Sequence, residues 1–325
     1  MMRKVIIFLL AATCCCMVDV AQNVSNKLVK LPFAFSETGR TPMENTPVLF
    51  QNKLLLVLDY RPGGFEAKGE DAYLYVMDLR TGQEVARFGK GHSFVSAFVR
   101  DNELHVFALE FSNFGRIIKS KGINHFVTSD LKKWDVLPTA ISPDSGEKLF
   151  NSSVCSDKQG YIMAYETDNP VQFCFKFARS KDLLSWTKIP DIVFTGEKNE
   201  YSACPVIRYY EPYYYVIYLH APTNTYKGYI SYLIRSKDLK KWQLSSLNPI
   251  LKADEGEGIN NSDVDLIEYK NKTYLYYATG DQMTWGTIRI ALFNGSERKF
   301  FESYFPKSSS FSEISAIKQD KNGQK

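Results

Sequence analysis

The sequence predicts an all-β protein, namely a five-bladed β-propeller in which each blade is a four-stranded antiparallel sheet. Three observations support this prediction. Aromatic residues are abundant, with 20 Tyr, 22 Phe and 4 Trp in 325 residues, and such residues favour the half-buried surface of a sheet. The motif Asp-Leu-x-x-Trp and a strand–turn–strand pattern both recur along the chain. Repeated sheets of this kind bury their faces against one another, and closure into a ring protects their edges.

The Asp-Leu-x-x-Trp motif is the strongest repeat. Its three copies span residues 130–134, 182–186 and 238–242. We expect each copy in an outer-strand turn, where the aspartate caps the turn in the Asx manner and the indole packs between blades. Asp130, Asp182 and Asp238 are therefore predicted to be structural rather than catalytic.

The strand–turn–strand pattern recurs five times and is typical of a β-hairpin, because a polar turn separates two runs of strand-forming residues. The turns contain Asn52, Asn102, Gly160, Glu211 and Asn271. From their spacing, the predicted blades lie near residues 44–90, 91–140, 148–192, 200–250 and 260–305. A β-sandwich is the alternative, but these repeats are too long and too alike for it.

The two ends of the chain are predicted to lie outside the propeller, which spans residues 44–307. Residues 1–21 have a basic start and a short apolar run, the pattern of a secretory signal peptide. A transmembrane span needs about 20 apolar residues, and this run is shorter. Residues 22–43 are predicted to be a lead-in, and residues 308–325 a flexible tail. We therefore expect an exported protein, periplasmic or secreted, with lipoprotein attachment at Cys14 as the alternative.

Charge and cysteine content exclude several classes of function. The formal net charge is +4, and no block of Lys and Arg stands out, so no nucleic-acid partner is expected. Three of the six cysteines lie in the signal segment, and the others are Cys155, Cys174 and Cys204. This arrangement fits neither a disulfide framework nor a zinc site. We expect three small buried residues, with one disulfide and a leftover thiol as the alternative.

The predicted register brings polar residues together at one face of the propeller. The first strand of each blade lines the axis and starts at this face, and the second strand ends there. The candidates at the strand-one starts are Glu44, Asn45, His92, Asn151, Glu200, Tyr201, Asn261, Asp263 and Asp265. The candidates at the strand-two ends are Arg61, Glu110, Glu166, His220 and Gln282. Such a ring of donors and acceptors suits a polyhydroxylated ligand, and Tyr60, Tyr201 and Trp285 add apolar faces for sugar rings.

Some of these candidates also have a purely structural interpretation. The Asn residues followed by Ser or Thr at the strand starts can satisfy backbone groups there, and His92 can be a core residue. Glu44, Glu200 and Asp263 are more informative, because acids close to one axis repel one another and shift each other's pKa.

Residues 41–305 resemble the five-bladed propellers of glycoside hydrolase family 43 and related clans, both in the repeated motif and in hairpins such as 213–218 and 273–277. The resemblance implies cleavage of arabinosyl, xylosyl or related glycosidic linkages, usually with inversion. It also implies an Asp base in the first blade, an Asp that tunes the site, and a Glu acid further round the ring. Thr46 occupies the position of the base and Ala203 that of the acid, so the family triad does not transfer.

Two main hypotheses follow. In the first, a divergent hydrolase uses Glu200 as the acid and Asp263 or Glu44 as the base, or a histidine, His92 or His220, as the proton donor. In the second, the pocket only binds glycan, as a lectin does.

A structural or protein-interaction propeller is a third possibility. The expected partner is an oligosaccharide or polysaccharide. No cofactor or metal site is predicted, apart from a conceivable Ca²⁺ on the axis beside Asp263 and His92, for which no loop has dense ligand spacing.

Overall fold

The computed structural model describes residues 27–35, 40, 42–64, 67–112, 119–197, 200–220, 228–281, 286–307 and 311–316. The strands of the first half of the chain are β1 (Val29–Phe35), β2 (Asn45–Phe50), β3 (Lys53–Tyr60), β4 (Tyr73–Asp78), β5 (Gln83–Phe88), β6 (His92–Arg100), β7 (Glu103–Phe111), β8 (Ser120–Thr128), β9 (Asp135–Ile141) and β10 (Leu149–Asp157). The others are β11 (Gly160–Thr167), β12 (Cys174–Ser180), β13 (Thr187–Phe194), β14 (Ser202–Tyr210), β15 (Tyr213–His220), β16 (Ile230–Ser236), β17 (Lys241–Leu244), β18 (Ser262–Tyr269), β19 (Lys272–Ala278), β20 (Ile288–Phe293) and β21 (Ser312–Ser315). A short helix, α1 (Glu297–Ser303), follows β20.

These strands form five antiparallel sheets, one for each predicted blade. The first four blades are β2–β5, β6–β9, β10–β13 and β14–β17, each in sequential order. The fifth blade contains β18, β19 and β20 from the end of the chain and β1 from its start. The predicted five-bladed β-propeller with four-stranded blades is therefore confirmed.

The predicted ends of the propeller differ from the structure. Val29–Phe35, placed in the lead-in, pair with β20 as the outer strand of the fifth blade. Ser312–Ser315, placed in the flexible tail, pair with β17 as an additional strand of the fourth blade. Both segments are short edge strands. β1 pairs with a strand from the other end of the chain, and β21 is an additional strand beyond the four of its blade. No local pattern therefore indicates either pairing. Pro32 fits an edge strand, because it lies where the register of β1 shifts.

The repeated tryptophans fill the spaces between adjacent blades, as predicted. Each indole contacts a Phe of the preceding blade, and the pairs are Phe88–Trp134 at 3.5 Å, Phe107–Trp186 at 5.8 Å and Phe177–Trp242 at 5.8 Å between ring centroids. Trp242 is completely buried, and its indole nitrogen donates to the carbonyl of Leu239 at 2.9 Å. The motif is thus a packing element of three neighbouring interfaces.

The aspartates of the motif form the predicted Asx-type turns. In the third copy, Asp238 Oδ1 accepts from the backbone N–H groups of Lys240 and Lys241, both at 2.9 Å. Leu239, between Asp238 and Lys240, has a φ of 64°, a left-handed conformation that such a turn stabilises. The corresponding residues of the other two copies have the same geometry. These carboxylates bind backbone and do not face the axis.

Cys155, Cys174 and Cys204 are free thiols. Cys155 and Cys174 are buried, whereas Cys204 is half-buried. In the part of the chain described above, none of the helices has the length and hydrophobicity needed to span a bilayer.

Candidate active site

The innermost strands surround a small cavity on the propeller axis, called the axial cavity below. Every blade contributes to its wall, through residues 44–46, 95–96, 151–152, 204–206 and 263–265. Its volume is about 20 Å³, which is enough for about one water molecule. Residues far apart in sequence therefore meet at this cavity.

Three of the innermost strands bulge at equivalent positions. The register shifts between Ser93 and Ser96 in β6, and in the same way in β14 and β18. At these bulges Phe94, Cys204 and Asp263 have φ values of 56°, 48° and 49°. A left-handed conformation is uncommon for residues other than Gly and is often found at functional sites. Two of the three residues, Cys204 and Asp263, line the axial cavity.

In the first blade, Arg61 pairs with two carboxylates. Its Nη2 donates to both oxygens of Glu44 at 2.8 Å, and its Nε lies 3.8 Å from Asp59 Oδ2. The same Asp59 oxygen accepts from the backbone N–H of Phe94 at 2.9 Å and from the hydroxyl of Ser93. The guanidinium lies 4.5 Å from the centre of the Phe94 ring. Arg61 thus holds Glu44, which directly precedes β2, beside Asp59, which is near the end of β3.

Burial raises the pKa of Glu44 well above its ordinary value, an effect that Arg61 opposes and that Asp59 and Asp263 reinforce. Burial also raises the pKa of Asp263, whereas the neighbouring Ser262 and Cys204 and the charge of Arg61 oppose the rise. Both side chains line the axial cavity. Because like charges disfavour joint ionisation, these acids titrate as a coupled group.

Glu166, at the end of the second strand of blade three, is a further buried acid of this region. Its Oε2 accepts from the backbone N–H of Cys204 at 2.8 Å and from Nδ2 of Asn151 at 3.1 Å. Burial raises the pKa of Glu166 to about 7, although both hydrogen bonds oppose the rise, and the nearby charge of Asp263 adds to it. Near neutral pH a substantial fraction of Glu166 is therefore protonated and able to donate a proton.

Glu200 and His220 lie outside the axial cavity, contrary to the prediction for Glu200. The Glu200 side chain is 43% exposed, and its carboxylate lies 3.7 Å from Nε2 of His220. The His220 ring stacks on Tyr232, with ring centroids 4.6 Å apart. Burial lowers the pKa of His220, and Glu200 opposes this effect. Glu200 precedes β14, and its carboxylate pairs with the end of β15 instead of facing the axis.

His92 and Glu110 form a separate polar network at the start of blade two. His92 Nδ1 lies 3.0 Å from the carbonyl of Lys90, so this nitrogen carries the proton and Nε2 accepts from Asn124 at 3.0 Å. Asn124 also donates to Glu110 Oε2 at 3.0 Å, and Lys121 donates to Oε1 at 2.8 Å. Burial lowers the pKa of His92, so this ring is neutral near pH 7. Neither residue lines the axial cavity.

The remaining candidates have different environments. Asn45 Nδ2 donates to the backbone carbonyl of Asp263 at 2.9 Å, and Asn261 donates to Glu257 at 3.1 Å behind the cavity wall. Asp265 lines the cavity and pairs with Arg208 at 2.6 Å. Tyr201 is near the acids, whose charges reinforce the effect of burial in raising the pKa of its hydroxyl.

The predicted apolar faces for sugar rings are described only in part. Tyr60 contacts the Tyr73 ring, with centroids 5.4 Å apart. Gln282 and Trp285 lie outside the described residues.

Of the predicted residues, the structure brings five to the wall of the axial cavity: Glu44, Asn45, Asn151, Asp263 and Asp265. Arg61 and Glu166 are bound to residues of this wall, Arg61 to Glu44 and Glu166 to the N–H of Cys204. Three residues at or beside the cavity were not predicted: Asp59, Cys204 and Ser96. Asp59 is detectable, because it interrupts an apolar run at the end of a strand-two segment. Cys204 is not, because only the bulge in β14 places it at the axis.

Within the described residues, no group of three or more His, Cys, Asp and Glu side chains has the arrangement needed to hold a metal ion. The conceivable Ca²⁺ shared by Asp263 and His92 does not fit the observed contacts, because both His92 nitrogens are engaged by Lys90 and Asn124.

Comparison with known proteins agrees with this fold. A family model for the N-terminal domain of glycosyl hydrolases family 32 matches residues 98–247. The solved structure of a BT0996 RGII complex is similar, with a TM-score of 0.65 and 16% identity over 81% of this protein and 92% of that one. The predicted resemblance to propeller glycoside hydrolases is confirmed.

Two further propeller glycoside hydrolases show the breadth of this likeness. One is CoXyl43, a GH43 β-xylosidase/α-arabinofuranosidase from a compost microbial metagenome, with a TM-score of 0.51 and 12% identity over 79% of this protein and 92% of that one. The other is the Bombyx mori GH32 β-fructofuranosidase BmSUC1, with a TM-score of 0.55 and 12% identity over 77% of this protein and 58% of that one. No curated protein sequence matches the chain. At these identities the structural likeness shows the fold.

Proposed function

We propose that this protein is a glycoside hydrolase that cleaves a glycosidic bond held at the mouth of the axial cavity. One observation carries the proposal: Glu44 and Asp263 line the axial cavity, Glu166 accepts from the N–H of Cys204 in its wall, and the pKa of each of these buried acids is raised. Glycoside hydrolysis requires a protonated carboxyl group and an ionised one on opposite sides of the scissile bond. Mutually repelling acids supply both forms at the same pH.

The contacts support a different role for each acid. Glu166, with its pKa of about 7, is proposed to protonate the leaving oxygen. Asp263 is proposed to act on the anomeric carbon, either directly or through a water molecule, because its carboxylate lines the cavity and is not bound by Arg61. Glu44 stays paired with Arg61 and stabilises positive charge that develops on the sugar ring. The proposed acid is therefore Glu166 and not Glu200.

The substrate class is proposed from chemistry and from the relatives. A cavity of about 20 Å³ suits a water molecule rather than a sugar, so the ring is expected to lie above it, between the strand starts. Arabinosyl, xylosyl and fructosyl units are the natural first choices, because CoXyl43 is a β-xylosidase/α-arabinofuranosidase and BmSUC1 a β-fructofuranosidase. The basic and apolar pattern of residues 1–21 supports the further proposal that the protein is exported.

The assay uses purified protein with 4-nitrophenyl α-L-arabinofuranoside, 4-nitrophenyl β-D-xylopyranoside and sucrose. We expect the wild-type protein to hydrolyse at least one of these substrates. Asp263→Asn should lower the rate of that hydrolysis by a factor of about 10²–10⁴. The matched control is Glu110→Gln, a carboxylate-to-amide change outside the cavity, which should keep activity.

The smallness of the cavity and the non-acidic residues Thr46 and Ala203 favour one alternative, a glycan-binding propeller without catalysis. Titration calorimetry with xylotriose and sucrose separates the two. Binding that is equal in wild type and Asp263→Asn, with no hydrolysis by either protein, would establish the alternative.

A further inference from the structure

We propose that Asn151 is a positioning residue for the acid Glu166: together with the backbone N–H of Cys204, it occupies the carboxyl oxygen Oε2, so that the acid carries its proton on Oε1. The inference deepens the proposed function and rests on it for the word acid, whereas the contacts are independent of it. This role differs from the substrate contact predicted for Asn151 from the sequence.

A bulge in β10 brings Asn151 opposite Glu166. On the β10–β11 ladder, the register shifts between Leu149 and Ser152. Two residues of β10, Phe150 and Asn151, therefore face a single residue of β11, Glu166, and a bulge of this kind re-aims a side chain. Asn151 Nδ2 donates to Glu166 Oε2 at 3.1 Å, and both side chains are buried.

A second bulge, in β14 of the next blade, supplies the other donor to the same oxygen. The register of β14 shifts between Ala203 and Val206, and the φ of Cys204 is 48°. The N–H of Cys204 donates to Glu166 Oε2 at 2.8 Å. Asn151 Nδ2 also donates to Cys204 Sγ at 3.3 Å. The NH₂ group of Asn151 thus has two acceptors within this small cluster.

These contacts distinguish the two oxygens of Glu166. A carboxyl oxygen offers about two lone-pair positions, and two N–H donors already bind Oε2. A proton on Oε2 would have to displace one of these donors. The protonated form is therefore an Oε1–H group with Oε2 as its carbonyl oxygen, so the proton that the proposed acid transfers resides on a defined atom.

Asp59 shows why neutral donors matter at Glu166. Asp59 Oδ2 accepts from the N–H of Phe94 at 2.9 Å, as Glu166 does from the N–H of Cys204. Asp59 also has Arg61 Nε at 3.8 Å, a cation that favours the ionised carboxylate. The two donors to Glu166 are an amide and a peptide N–H. They orient the carboxyl group without adding a positive charge, so its protonated form is retained near neutral pH.

The titratable groups around Glu166 are Asp263, Cys204, Cys174 and Tyr201. Burial raises the pKa of both thiols and of the tyrosine hydroxyl, so these three groups are neutral near pH 7. Asp263 is therefore the one of the four whose charge acts on Glu166. Because an N–H donor stabilises the ionised carboxylate, loss of the Asn151 donor should raise the pKa of Glu166.

The direct test follows the carbonyl stretching band of protonated Glu166 by infrared difference spectroscopy against Glu166→Gln, and it requires no substrate. The wild-type band should titrate with a midpoint of about pH 7. In Asn151→Ala the midpoint should rise by about one pH unit, and the band should move to higher frequency because Oε2 has lost a donor. The matched control is Asn124→Ala, which removes an amide donor to Glu110 and should leave both properties unchanged.

A second measurement leaves Asn151 in place. In ¹⁵N-labelled wild-type protein, the side-chain amide resonance of Asn151 should titrate with the midpoint of Glu166. This titration should be absent in Glu166→Gln. An Asn151 resonance that does not respond to the titration of Glu166 would overturn the proposal, even if Asn151→Ala failed to fold.

The kinetic test uses any glycoside that the wild type hydrolyses. In Asn151→Ala the alkaline limb of kcat/KM should move to higher pH by about one unit. Asn151→Gln keeps an amide donor and should move the limb less. A purely structural role would instead lower kcat/KM equally at all pH values.

The outcomes separate the two proposals. A carbonyl band that moves in Asn151→Ala, in a protein without any hydrolysis, supports the positioning contact and counts against the hydrolase. Hydrolysis with an unmoved band and an unmoved alkaline limb in Asn151→Ala overturns the positioning role and leaves the hydrolase intact.

Discussion

Arg61 donates to both carboxylate oxygens of Glu44 at 2.8 Å, and the side chains of both residues are at most 4% exposed. This pair joins the start of the innermost strand of blade one to the end of the second strand. Because Nε of the same guanidinium lies 3.8 Å from Asp59, Arg61 is the cation that lets two acids remain buried beside the axis. Its removal has a predictable consequence for stability.

Replacing Arg61 by Met should lower the free energy of unfolding by about 3–5 kcal/mol, because an uncompensated charge is then left buried. Urea unfolding followed by circular dichroism measures the loss. The double variant Arg61→Met/Glu44→Gln should recover part of it. The control is Arg87→Met, which removes an exposed pair with Glu84 and should cost less than about 1 kcal/mol. Equal losses for Arg61→Met and Arg87→Met would contradict the structural role of the buried pair.

The histidine pair of blade two should make stability depend on pH. His105 Nδ1 and His125 Nε2 are 2.9 Å apart and both rings are buried. Burial, and then His105, lower the pKa of His125 to about 3 from an ordinary value of 6.5. The unfolded protein therefore takes up more protons between these values, so this contribution to stability is complete above about pH 6.5 and falls as the pH decreases towards 3.

Urea unfolding of wild type and His125→Gln at several pH values below 6.5 tests this point. The wild type should lose up to about 1.4 kcal/mol per pH unit from this residue. The variant should be less stable at pH 7 and should lose less on acidification. An identical slope in the two proteins would show that His125 does not remain neutral in the folded state.

Removal of the first strand should be far more damaging than removal of the last one. Without β1, the edge of β20 is exposed and the fifth blade has three strands. Without β21, the fourth blade still has its four sequential strands. Proteins of residues 36–325 and 22–310 are compared with 22–325 by size-exclusion chromatography and thermal unfolding. We expect aggregation or loss of cooperative unfolding only in the protein of residues 36–325. Similar behaviour of both truncated proteins would contradict the role of β1 in completing the fifth blade.

The alkaline side of the pH–activity profile should be set by Glu166. Its pKa of about 7 means that the protonated form required of a general acid declines above that pH, so kcat/KM should decrease there. Initial rates on an active 4-nitrophenyl glycoside between about pH 4 and pH 10 give the profile. A profile that is flat through pH 7 to 9 would remove Glu166 from the role of acid.

The sequence was sufficient for the blade architecture because the relevant signals are local. Polar turns such as Asn52 and Asn102 lie between strand-forming runs, and the repeated Trp residues mark equivalent blade interfaces. Two of the candidates chosen from this register, Glu44 and Asp263, line the axial cavity. By contrast, β1 pairs with β20 across almost the whole sequence, and no local pattern indicates a partner so distant.

Which residues form the site depends on structural features that no sequence pattern indicates. A bulge between Ala203 and Val206 places Cys204 in the cavity wall. Glu200, outside the strand, turns towards His220. Glu166 was correctly placed at a strand-two end, but its role depends on burial and on the N–H of Cys204. The fold was therefore predictable from periodicity, whereas the roles of the acids required the contacts.

The most direct test of the central claim compares turnover of one glycoside by Glu166→Gln and Glu200→Gln under identical conditions. Both substitutions exchange a carboxylate for an amide of the same shape, but only Glu166 is bound to the wall of the axial cavity. We predict that Glu166→Gln lowers kcat by about 10²–10⁴ while Glu200→Gln keeps wild-type kcat within a factor of about three. The opposite ranking, with activity lost in Glu200→Gln and retained in Glu166→Gln, would contradict the assignment of the site.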